Sequence, residues 1–308
     1  MPELPEVQTT VNGLRHHIIG LTIKDVWSSY NSSYFKGSET IKDLVYFKYF
    51  KKEVLGKKII SIERRAKNIL INLNNNKTIL VHMKMTGHLL FGIYLFKSNN
   101  SNDPWEPKEP ESLKDPKNRH VRFVITFNNG KHMALSDMRK FAKVTIIDSK
   151  TIHESNHLKD LGPEPLDKSF TFQEFNKRLD LRHLGKIKLV LMDQNIISGI
   201  GNIYADESLW HTGIHPLEKV QHIASSKRKL LFITIKKILA HGINLGGDSM
   251  SDYRNVSGEK GKFQEQHHAY QKTGLKCDKK GCKGIIKRIV VGGRGTHFCD
   301  KHQKFSGK

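Results

Sequence analysis

The chain has 308 residues, of which 52 are Lys or Arg and 30 are Asp or Glu, so its formal net charge is +22. This charge argues against an enzyme of small neutral metabolites and predicts a polyanionic partner, most simply a nucleic acid. An anionic membrane surface is the alternative, but no run of about 20 apolar residues and no basic-then-apolar leader is present. We therefore expect no membrane span, a cytoplasmic location of the bacterial type, and about two domains.

The chain begins with a distinctive run, Met1-Pro2-Glu3-Leu4-Pro5-Glu6-Val7. Removal of Met1, which is usual before a proline, would leave a chain that begins with the secondary amine of Pro2, closely followed by the two carboxylates of Glu3 and Glu6. An α-amine has a pKa near 7.8, against about 10.4 for lysine, so its uncharged fraction can attack a carbonyl carbon and form an iminium. Apolar residues at helical spacing predict a helix over residues 5–18, with its positive end beside that amine. A frayed terminus is an equally good interpretation of these seven residues alone.

Short runs of β-type composition follow Gly20. They cover residues 23–27, 59–63, 69–73, 78–83, 121–127, 131–135 and 143–147. Turns rich in Asn separate several of them, so the pattern predicts a β-sandwich or barrel-like domain. Residues 36–53 are predicted as a charged helix, and residues 97–118 as a polar, proline-containing surface loop.

Helical spacing replaces the β-type pattern after about residue 155. Helices are predicted over residues 172–181, 187–192, 203–210 and 225–241. The glycines of Gly199-Ile200-Gly201-Asn202 precede the third of these helices, where backbone N–H groups and the Asn202 amide could bind a phosphate. Tight helix packing explains these glycines as well. Residues 242–274 are predicted as a long glycine-rich loop without obvious packing, either functional or disordered.

The sequence Cys277-x4-Cys282 is followed by 16 residues and then by Cys299-x2-His302. Two ligand pairs separated by a hairpin-length insert are typical of tetrahedral Zn²⁺, for which Cys and His are both good ligands. Three cysteines confined to one segment argue against a disulfide framework. Arg294, among glycines at the expected hairpin tip, suits a phosphate contact, although a plain turn would have the same sequence.

Together these motifs resemble the formamidopyrimidine-DNA glycosylases of the Fpg/Nei superfamily, from residue 2 to about 303. The resemblance is carried, in the family's order, by residues 2–7, 64–67, 85–87, 120–123, 137–141, 199–207 and 246–274 and by the Cys and His motif of residues 277–302. It implies an α+β multidomain fold. The expected domains are an N-terminal catalytic β-sandwich with a leading helix (1–155), a helical helix-two-turns-helix (H2TH) DNA-binding domain (156–274) and a β-hairpin zinc finger (275–305).

The resemblance also implies a chemistry. Pro2 matches the amine that attacks C1′ of the damaged nucleotide, Glu3 matches the carboxyl group that relays protons to the sugar, and Glu6 is a supporting acid. Lys67 is expected in the same catalytic group. The implied activity is that of a bifunctional DNA glycosylase and AP lyase of base excision repair, which cuts the strand by β,δ-elimination. The implied partner is double-stranded DNA with oxidised bases or abasic sites, bound by a monomer that carries one structural Zn²⁺.

Two sets of residues are implied to contact the DNA. Lys67, Asn202 and Arg294 match the family's contacts to phosphates around the lesion. Met85, Arg139 and Phe141 match the trio that fills the gap left by a flipped base. Without the family context, Met85 and Phe141 would instead be interpreted as ordinary core of the sandwich.

The segment 246–264, which we call the capping loop, resembles the lesion-capping loop of the oxidised-purine branch. Its residues of interest are Asp248, Met250, Ser251, Asp252 and Tyr253. The resemblance therefore favours 8-oxoguanine and formamidopyrimidines as lesions. A Nei-type enzyme for oxidised pyrimidines and a DNA-binding protein without chemistry are the alternatives. The implied zinc ligands are Cys277, Cys282, Cys299 and His302, and the histidine replaces the family's usual fourth cysteine.

Overall fold

A computed structural model describes residues 1–30, 32–97 and 103–307. The chain forms two compact units. The first contains Met1–Lys159 and Leu245–Lys262, and the second contains Asp160–Asn244 and Phe263–Lys308. The predicted domain limits at residues 155 and 274 remain predictions. By packing, the greater part of the capping loop belongs with the first unit.

The first unit contains two antiparallel sheets. In chain order, the strands of its described part are β1 (Ile23–Ser28), β2 (Ile59–Arg65), β3 (Asn68–Leu73), β4 (Lys77–His82), β5 (His88–Phe96), β6 (Trp105–Glu109), β7 (Val121–Phe127), β8 (His132–Ser136) and β9 (Lys143–Asp148). One sheet has the order β1-β7-β8-β5-β6, and the other has the order β2-β3-β4-β9. Inward-facing residues of both sheets share one hydrophobic core. The predicted β-sandwich is confirmed.

Two helices accompany these sheets. Helix α1 (Leu4–Ile18) buries the predicted apolar stripe completely, and its four members are Val7, Val11, Leu14 and Ile18. Full burial of such a side chain stabilises a fold by about 1.5–3 kcal/mol, which fixes the first turn of α1 against the sandwich. Helix α2 (Leu44–Val54) begins later than the predicted residue 36. The reason is Asp43, whose side chain accepts hydrogen bonds from the Tyr46 amide at 2.7 Å and the Gly37 amide at 2.9 Å and so caps the helix.

Strands β5 and β6 are not predicted from the sequence. Strand β5 is buried on both faces over most of its length, so it lacks the alternation that marks a half-exposed strand. Strand β6 contains Pro107 and lies at the edge of its sheet, where a missing N–H is tolerated. The prediction of a loop over residues 97–118 is therefore wrong for 105–109, and its residues 98–102 lie outside the described part of the chain.

The second unit contains the predicted helices and the finger hairpin. They are α3 (Phe172–Asp180), α4 (Ile187–Met192), α5 (Asn202–Thr212) and α6 (Ser225–Asn244), followed by β10 (Ile286–Val291) and β11 (Arg294–Cys299). The α+β multidomain prediction is confirmed. The prediction that residues 242–274 lack packing is wrong, because α6 extends to Asn244 and several side chains of the capping loop are buried. No helix in the described ranges has the length and apolarity that a membrane crossing requires.

Candidate active site, nucleic-acid interface and metal centre

The start of α1 is organised by two acidic side chains. Glu3 is the residue before the helix, and its backbone N–H donates to Glu6 Oε2 at 2.7 Å, while the Glu3 side chain accepts from the Glu6 amide. This capping box satisfies two amides that a helix start otherwise leaves unpaired. Pro2, Glu3 and Glu6 are all buried. The N-terminal segment is therefore ordered against the protein, and the interpretation as a frayed end is wrong.

Lys67 lies in the tight turn between β2 and β3. The chain reverses direction at Ala66, which has a φ of 54°. Lys67 is buried, with an exposed fraction of 5 %. Arg64 Nε donates to Gln8 Oε1 at 2.8 Å, so this turn is fastened to the early part of α1. The nearby His82 has its pKa lowered to about 3 by burial and then by the charges of Lys84 and Lys67. Lys67 and Lys84 thus place two positive charges near the buried His82.

Met85 and Phe141 lie at loop tips and not in the core. Met85 is 37 % exposed and Phe141 is 47 % exposed, whereas Met83, two residues before Met85, is buried. The Arg139 guanidinium lies 4.5 Å from the centre of the Phe141 ring, a cation–π distance. The alternative interpretation of Met85 and Phe141 as sandwich core is wrong. Exposed apolar side chains beside a cation are suited to insertion between bases.

Asp137 joins the two loops that carry this trio. It is fully buried, and its carboxylate accepts hydrogen bonds from Thr86 Oγ1 at 2.6 Å, Tyr30 Oη at 2.8 Å and the Ala142 amide at 2.7 Å. The Arg139 amide in turn donates to Thr86 Oγ1 at 3.2 Å. Burial, followed by the charge of Asp137, raises the pKa of Tyr30. In the sequence, Asp137 stands only within the motif of residues 137–141, and no local signal marks Tyr30 as its partner.

The capping loop is attached to Glu6. The Asp248 amide donates to Glu6 Oε1 at 2.8 Å, and Tyr253 Oη donates to the Glu6 carbonyl at 3.0 Å. Gly247, with a φ of 85°, lies so close to Glu6 that a Cβ would come within 2.9 Å of its Cγ. Tyr253 and Asp248 are buried, whereas Met250 and Ser251 are exposed and Asp252 is half-buried. The loop residues singled out from the sequence therefore divide into anchors and an exposed tip.

Asn202 and Arg294 are brought together in the second unit. Asn202 is the first residue of α5, and its Nδ2 donates to the carbonyl of Gly295, the residue after Arg294, at 2.9 Å. Gly292 and Gly293 form the two-residue turn between β10 and β11 with positive φ, and Arg294 is exposed beside it. The predicted hairpin tip is confirmed, with Arg294 as the first residue after the turn.

A buried ion pair supports this arrangement. Lys188 Nζ donates to Asp206 Oδ1 at 2.6 Å and to the Asn202 carbonyl at 2.8 Å, and both charged side chains are completely buried. The other oxygen of Asp206 accepts from the His297 amide at 2.9 Å. Breaking such a pair leaves an uncompensated buried charge, so it fixes the hairpin to α5. Lys188 is not predicted from the sequence, because a lysine in a short apolar helix carries no pattern that reveals its partner.

The four predicted ligands converge on one point. The ligand atoms of Cys277, Cys282, Cys299 and His302 lie within 4.8 Å of one another. The sulfurs of Cys282 and Cys299 are 3.5 Å apart, close to the ~3.8 Å edge of a tetrahedron with zinc–sulfur bonds of about 2.3 Å. His302 Nε2 lies 2.9 Å from the Trp210 carbonyl. Because Nε2 donates its hydrogen to this carbonyl, Nδ1 carries no hydrogen. Nδ1 faces the cysteine sulfurs, as a metal ligand requires.

The electrostatics of His302 agree with metal binding. Burial lowers the pKa of its imidazole, so the ring is neutral at neutral pH. Amides of Gly284 and Lys301 each lie 3.4 Å from a cysteine sulfur, and such N–H groups stabilise thiolates. The donor set and its geometry fit one zinc ion, whose chemistry here is structural, because all four positions are taken by protein.

Comparison with known proteins gives three matches to family models along the chain. Residues 1–144 match the formamidopyrimidine-DNA glycosylase N-terminal domain, residues 161–254 match the formamidopyrimidine-DNA glycosylase H2TH domain, and residues 274–301 match a zinc finger found in FPG and IleRS. The formamidopyrimidine-DNA glycosylase of Herpetosiphon aurantiacus is 34% identical over 97% of this chain and 98% of its own. That of Ligilactobacillus salivarius is 35% identical over 98% and 99%.

Solved structures of similar proteins agree. Lactococcus lactis Fpg in complex with DNA that contains an abasic site is similar with a TM-score of 0.81 and 31% identity, over 98% of this chain and 100% of that one. A mutant of the same enzyme with Fapy-dG-containing DNA also has a TM-score of 0.81 and 31% identity, over 99% and 100%. MutM with carbocyclic 8-oxo-G-containing DNA has a TM-score of 0.81 and 30% identity over the same shares.

Proposed function

The chain belongs to the formamidopyrimidine-DNA glycosylase family, and on that premise we propose that it is a bifunctional DNA glycosylase and AP lyase. Its proposed substrates are 8-oxoguanine and formamidopyrimidines in duplex DNA, and its proposed place of action is the bacterial cytoplasm, as a monomer. The observation that carries the proposal is the buried start of α1, where Pro2 and Glu3 precede a helix whose first turn contains Glu6.

The proposed reaction starts from Pro2 after removal of Met1. The uncharged amine attacks C1′ of the damaged nucleotide and passes its proton to the Glu3 carboxylate. The glycosidic bond breaks, and the base departs with the bonding electrons and takes a proton from water. Glu3 protonates the sugar oxygen as the ring opens, and the amine's lone pair forms an iminium with C1′. The iminium makes the C2′ hydrogens acidic, so loss of a proton expels the 3′ phosphate and a second elimination expels the 5′ phosphate. One covalent intermediate thus serves both base release and strand cleavage.

The positive end of α1 suits this chemistry. A helix N-terminus carries about half a positive charge, which disfavours protonation of a neighbouring amine and stabilises a neighbouring carboxylate. Glu6 accepts hydrogen bonds from the Glu3 and Asp248 amides, so it is held in place beside the nucleophile's segment. We assign Glu6 a supporting role in positioning and Glu3 the proton transfer. Lys67 joins the catalytic group as a cation for the phosphate that leaves.

DNA binding is assigned to two sets of side chains. Lys67, Asn202 and Arg294 contact phosphates, which sets the register of the duplex without reading its sequence. Met85, Arg139 and Phe141 fill the gap from which the damaged nucleotide is turned out. Unstacking costs a few kcal/mol, and insertion of exposed apolar side chains beside a guanidinium offsets that cost.

The choice of oxidised purines rests on the capping loop and on the relatives. Two structural relatives were solved in complex with Fapy-dG-containing DNA and with DNA that contains carbocyclic 8-oxo-G. In this chain the anchors Asp248 and Tyr253 bind Glu6, and the tip with Met250, Ser251 and Asp252 is left to face a base. Comparing excision of 8-oxoguanine opposite cytosine with excision of thymine glycol tests this assignment. Faster removal of thymine glycol would support a Nei-type enzyme.

Borohydride trapping tests the proposed chemistry. Incubation of the protein with an 8-oxoguanine duplex and sodium borohydride should reduce the iminium and give a covalent protein–DNA adduct attached at Pro2. A variant with one residue retained before Pro2 is the matched control, and it should bind the duplex but give no adduct. Absence of an adduct with the processed protein would refute the enzyme proposal and leave a DNA-binding protein. An adduct with the blocked variant would refute Pro2 as the nucleophile.

A further inference from the structure

The segment 111–118, which we call the brace, contacts the capping loop within the first unit. The brace consists of two short 3-10 turns, Glu111–Lys114 and Pro116–Asn118, that follow the edge strand β6. The sequence predicts this segment as part of a polar surface loop and indicates no chemical role for it. In the structure it makes an ion pair, a second charge contact and backbone hydrogen bonds to residues 252–258.

The central contact is an ion pair between Asp115 and Arg254. Asp115 Oδ2 lies 3.1 Å from Arg254 Nε, and Oδ1 lies 3.4 Å from Nη2, so the contact is two-pronged. The side chain of Arg254 is 4% exposed. Its Nη1 also donates to the carbonyls of Ser251, at 3.3 Å, and Tyr253, at 2.9 Å. One buried guanidinium therefore holds the backbone of the capping loop in a bend and ties that bend to the brace.

The carboxylate of Asp115 is held ionised. Burial alone would raise its pKa, but hydrogen bonds from the Lys117 amide and from Arg254 outweigh burial, and the pKa of Asp115 is lowered. The Lys117 ammonium lies 3.4 Å from Asp252 Oδ1 and adds an exposed charge contact beside the loop tip. In one ion pair the negative Asp115 of the brace contacts the positive Arg254 of the loop. In the other, the positive Lys117 of the brace contacts the negative Asp252 of the loop.

Backbone contacts continue the interface. Asn118 Nδ2 donates to the Gly258 carbonyl at 3.2 Å, and Ser112 Oγ donates to the Ser257 carbonyl. Gly258 has a φ of 85°, and a Cβ there would come within 2.7 Å of the Ser112 carbonyl oxygen. Leu113 anchors the brace, because it is buried in a cluster with residues of the five-stranded sheet. The brace is thus packed against the five-stranded sheet through Leu113 and hydrogen-bonded to the capping loop.

Glu6 holds the capping loop from its other side through Asp248 and Tyr253. The loop between residues 247 and 258 is therefore bonded to Glu6 of the proposed catalytic segment on one side and to the brace on the other. Its tip is exposed. A loop ordered before binding avoids the entropy cost of ordering at that moment, which raises affinity for the group that it covers.

We propose that the brace is a positioning element for base recognition, in which Asp115, Asn118 and Arg254 hold the capping loop ready to cover a damaged base. This inference rests on the proposed function. It distinguishes two substrates that the same enzyme would process. An 8-oxoguanine nucleotide presents a base for the loop to cover, whereas an abasic site presents none. The brace should therefore matter for base excision and not for cleavage at an abasic site.

The test uses the full chain with Asp115→Asn, which keeps the shape of the side chain and removes its charge. For an 8-oxoguanine duplex, kcat/KM should fall by about 10- to 100-fold, as expected when positioning shifts by about 1 Å. Cleavage of an abasic duplex should stay unchanged. The matched control is Glu111→Gln, at an exposed position of the same turns whose ion partner is Lys114, and it should change neither rate. Lys117→Met, which removes the exposed contact to Asp252, is the second variant if Asp115→Asn does not fold.

Hydrogen exchange gives a readout that does not depend on activity. In free Asp115→Asn, amides of residues 251–258 should exchange at least about tenfold faster, the factor for loss of one charge-assisted hydrogen bond, and Glu111→Gln should not change them. Hydrogen exchange unchanged in Asp115→Asn, or an equal loss of base excision and of abasic-site cleavage, would overturn the proposed role of the brace. If the wild type cleaves neither duplex, the proposed function fails, and the exchange result still decides whether the brace orders the loop.

Discussion

The capping loop and the zinc finger are both poor in regular structure, yet different physical means hold them in place. The finger has one two-stranded hairpin, and its Ile286, Cys277 and Cys299 pack in a small buried cluster with Trp210 of α5 and Ala269. Its four metal ligands converge on a single point. The capping loop has no such centre. Its contacts to Glu6, Asp115, Asn118 and Ser112 are spread over its length.

The two regions should therefore respond differently to the loss of a single contact or ligand. A structural metal concentrates folding free energy in a few bonds, so its loss unfolds the region as a whole. Dispersed hydrogen bonds and ion pairs contribute about 0.5–3 kcal/mol each, so loss of one should loosen part of the loop. The finger should therefore unfold as a whole when its zinc is lost. The capping loop should lose order only locally when one of its contacts is lost.

Zinc removal should give the largest effect. Structural zinc sites have apparent binding free energies of about 10–16 kcal/mol, so a strong chelator should disorder the finger and abolish DNA binding. The first unit should remain folded, since none of the four ligands is among the described residues of its core cluster. Metal analysis, circular dichroism and gel-shift assays measure these outcomes. Recovery of binding on addition of Zn²⁺ is the control, and a metal content below one zinc per chain would contradict the ligand assignment.

Gly258→Ala should have an intermediate effect, confined to the capping loop. The positive φ of Gly258 is strained for alanine, at a cost of about 1–3 kcal/mol, and the added Cβ would press on the Ser112 carbonyl. The free energy of unfolding from urea titration and the rate of proteolysis in the loop measure it. Gly130→Ala is the matched control, because Gly130 has a φ of 78° with open space around it. Equal destabilisation by both changes would mean that contact with the brace adds nothing.

Arg294→Ala should have the smallest effect and leave the finger folded. Loss of one phosphate contact lowers the salt dependence of log K by about 0.9 and weakens binding to every duplex alike. Lys24→Ala removes one positive charge from an exposed strand position in the other unit and serves as the control. If the salt slope of Arg294→Ala matches wild type, Arg294 does not contact the backbone of the DNA.

Much of the architecture follows from local patterns in the sequence. The stripe Val7, Val11, Leu14 and Ile18 is enough to predict α1, because burial of one helix face imposes that spacing. The finger is predicted equally well, since zinc accepts few ligand types and their spacing is short. Strand β5 shows the limit of such patterns. A strand buried on both faces has no alternation to detect.

The chemistry available to this protein can be predicted from its sequence: an excess of positive charge, an N-terminal Pro2 followed closely by Glu3 and Glu6, and a Cys₃His set. The fold determines which side chains can take part in that chemistry. It buried Met83 and exposed Met85, it paired Asp115 with Arg254 across 139 positions, and it fastened the capping loop to Glu6. The physical reason is distance along the chain. Periodicity and ligand spacing are local properties, whereas the partner of a buried charge is set by how remote segments pack.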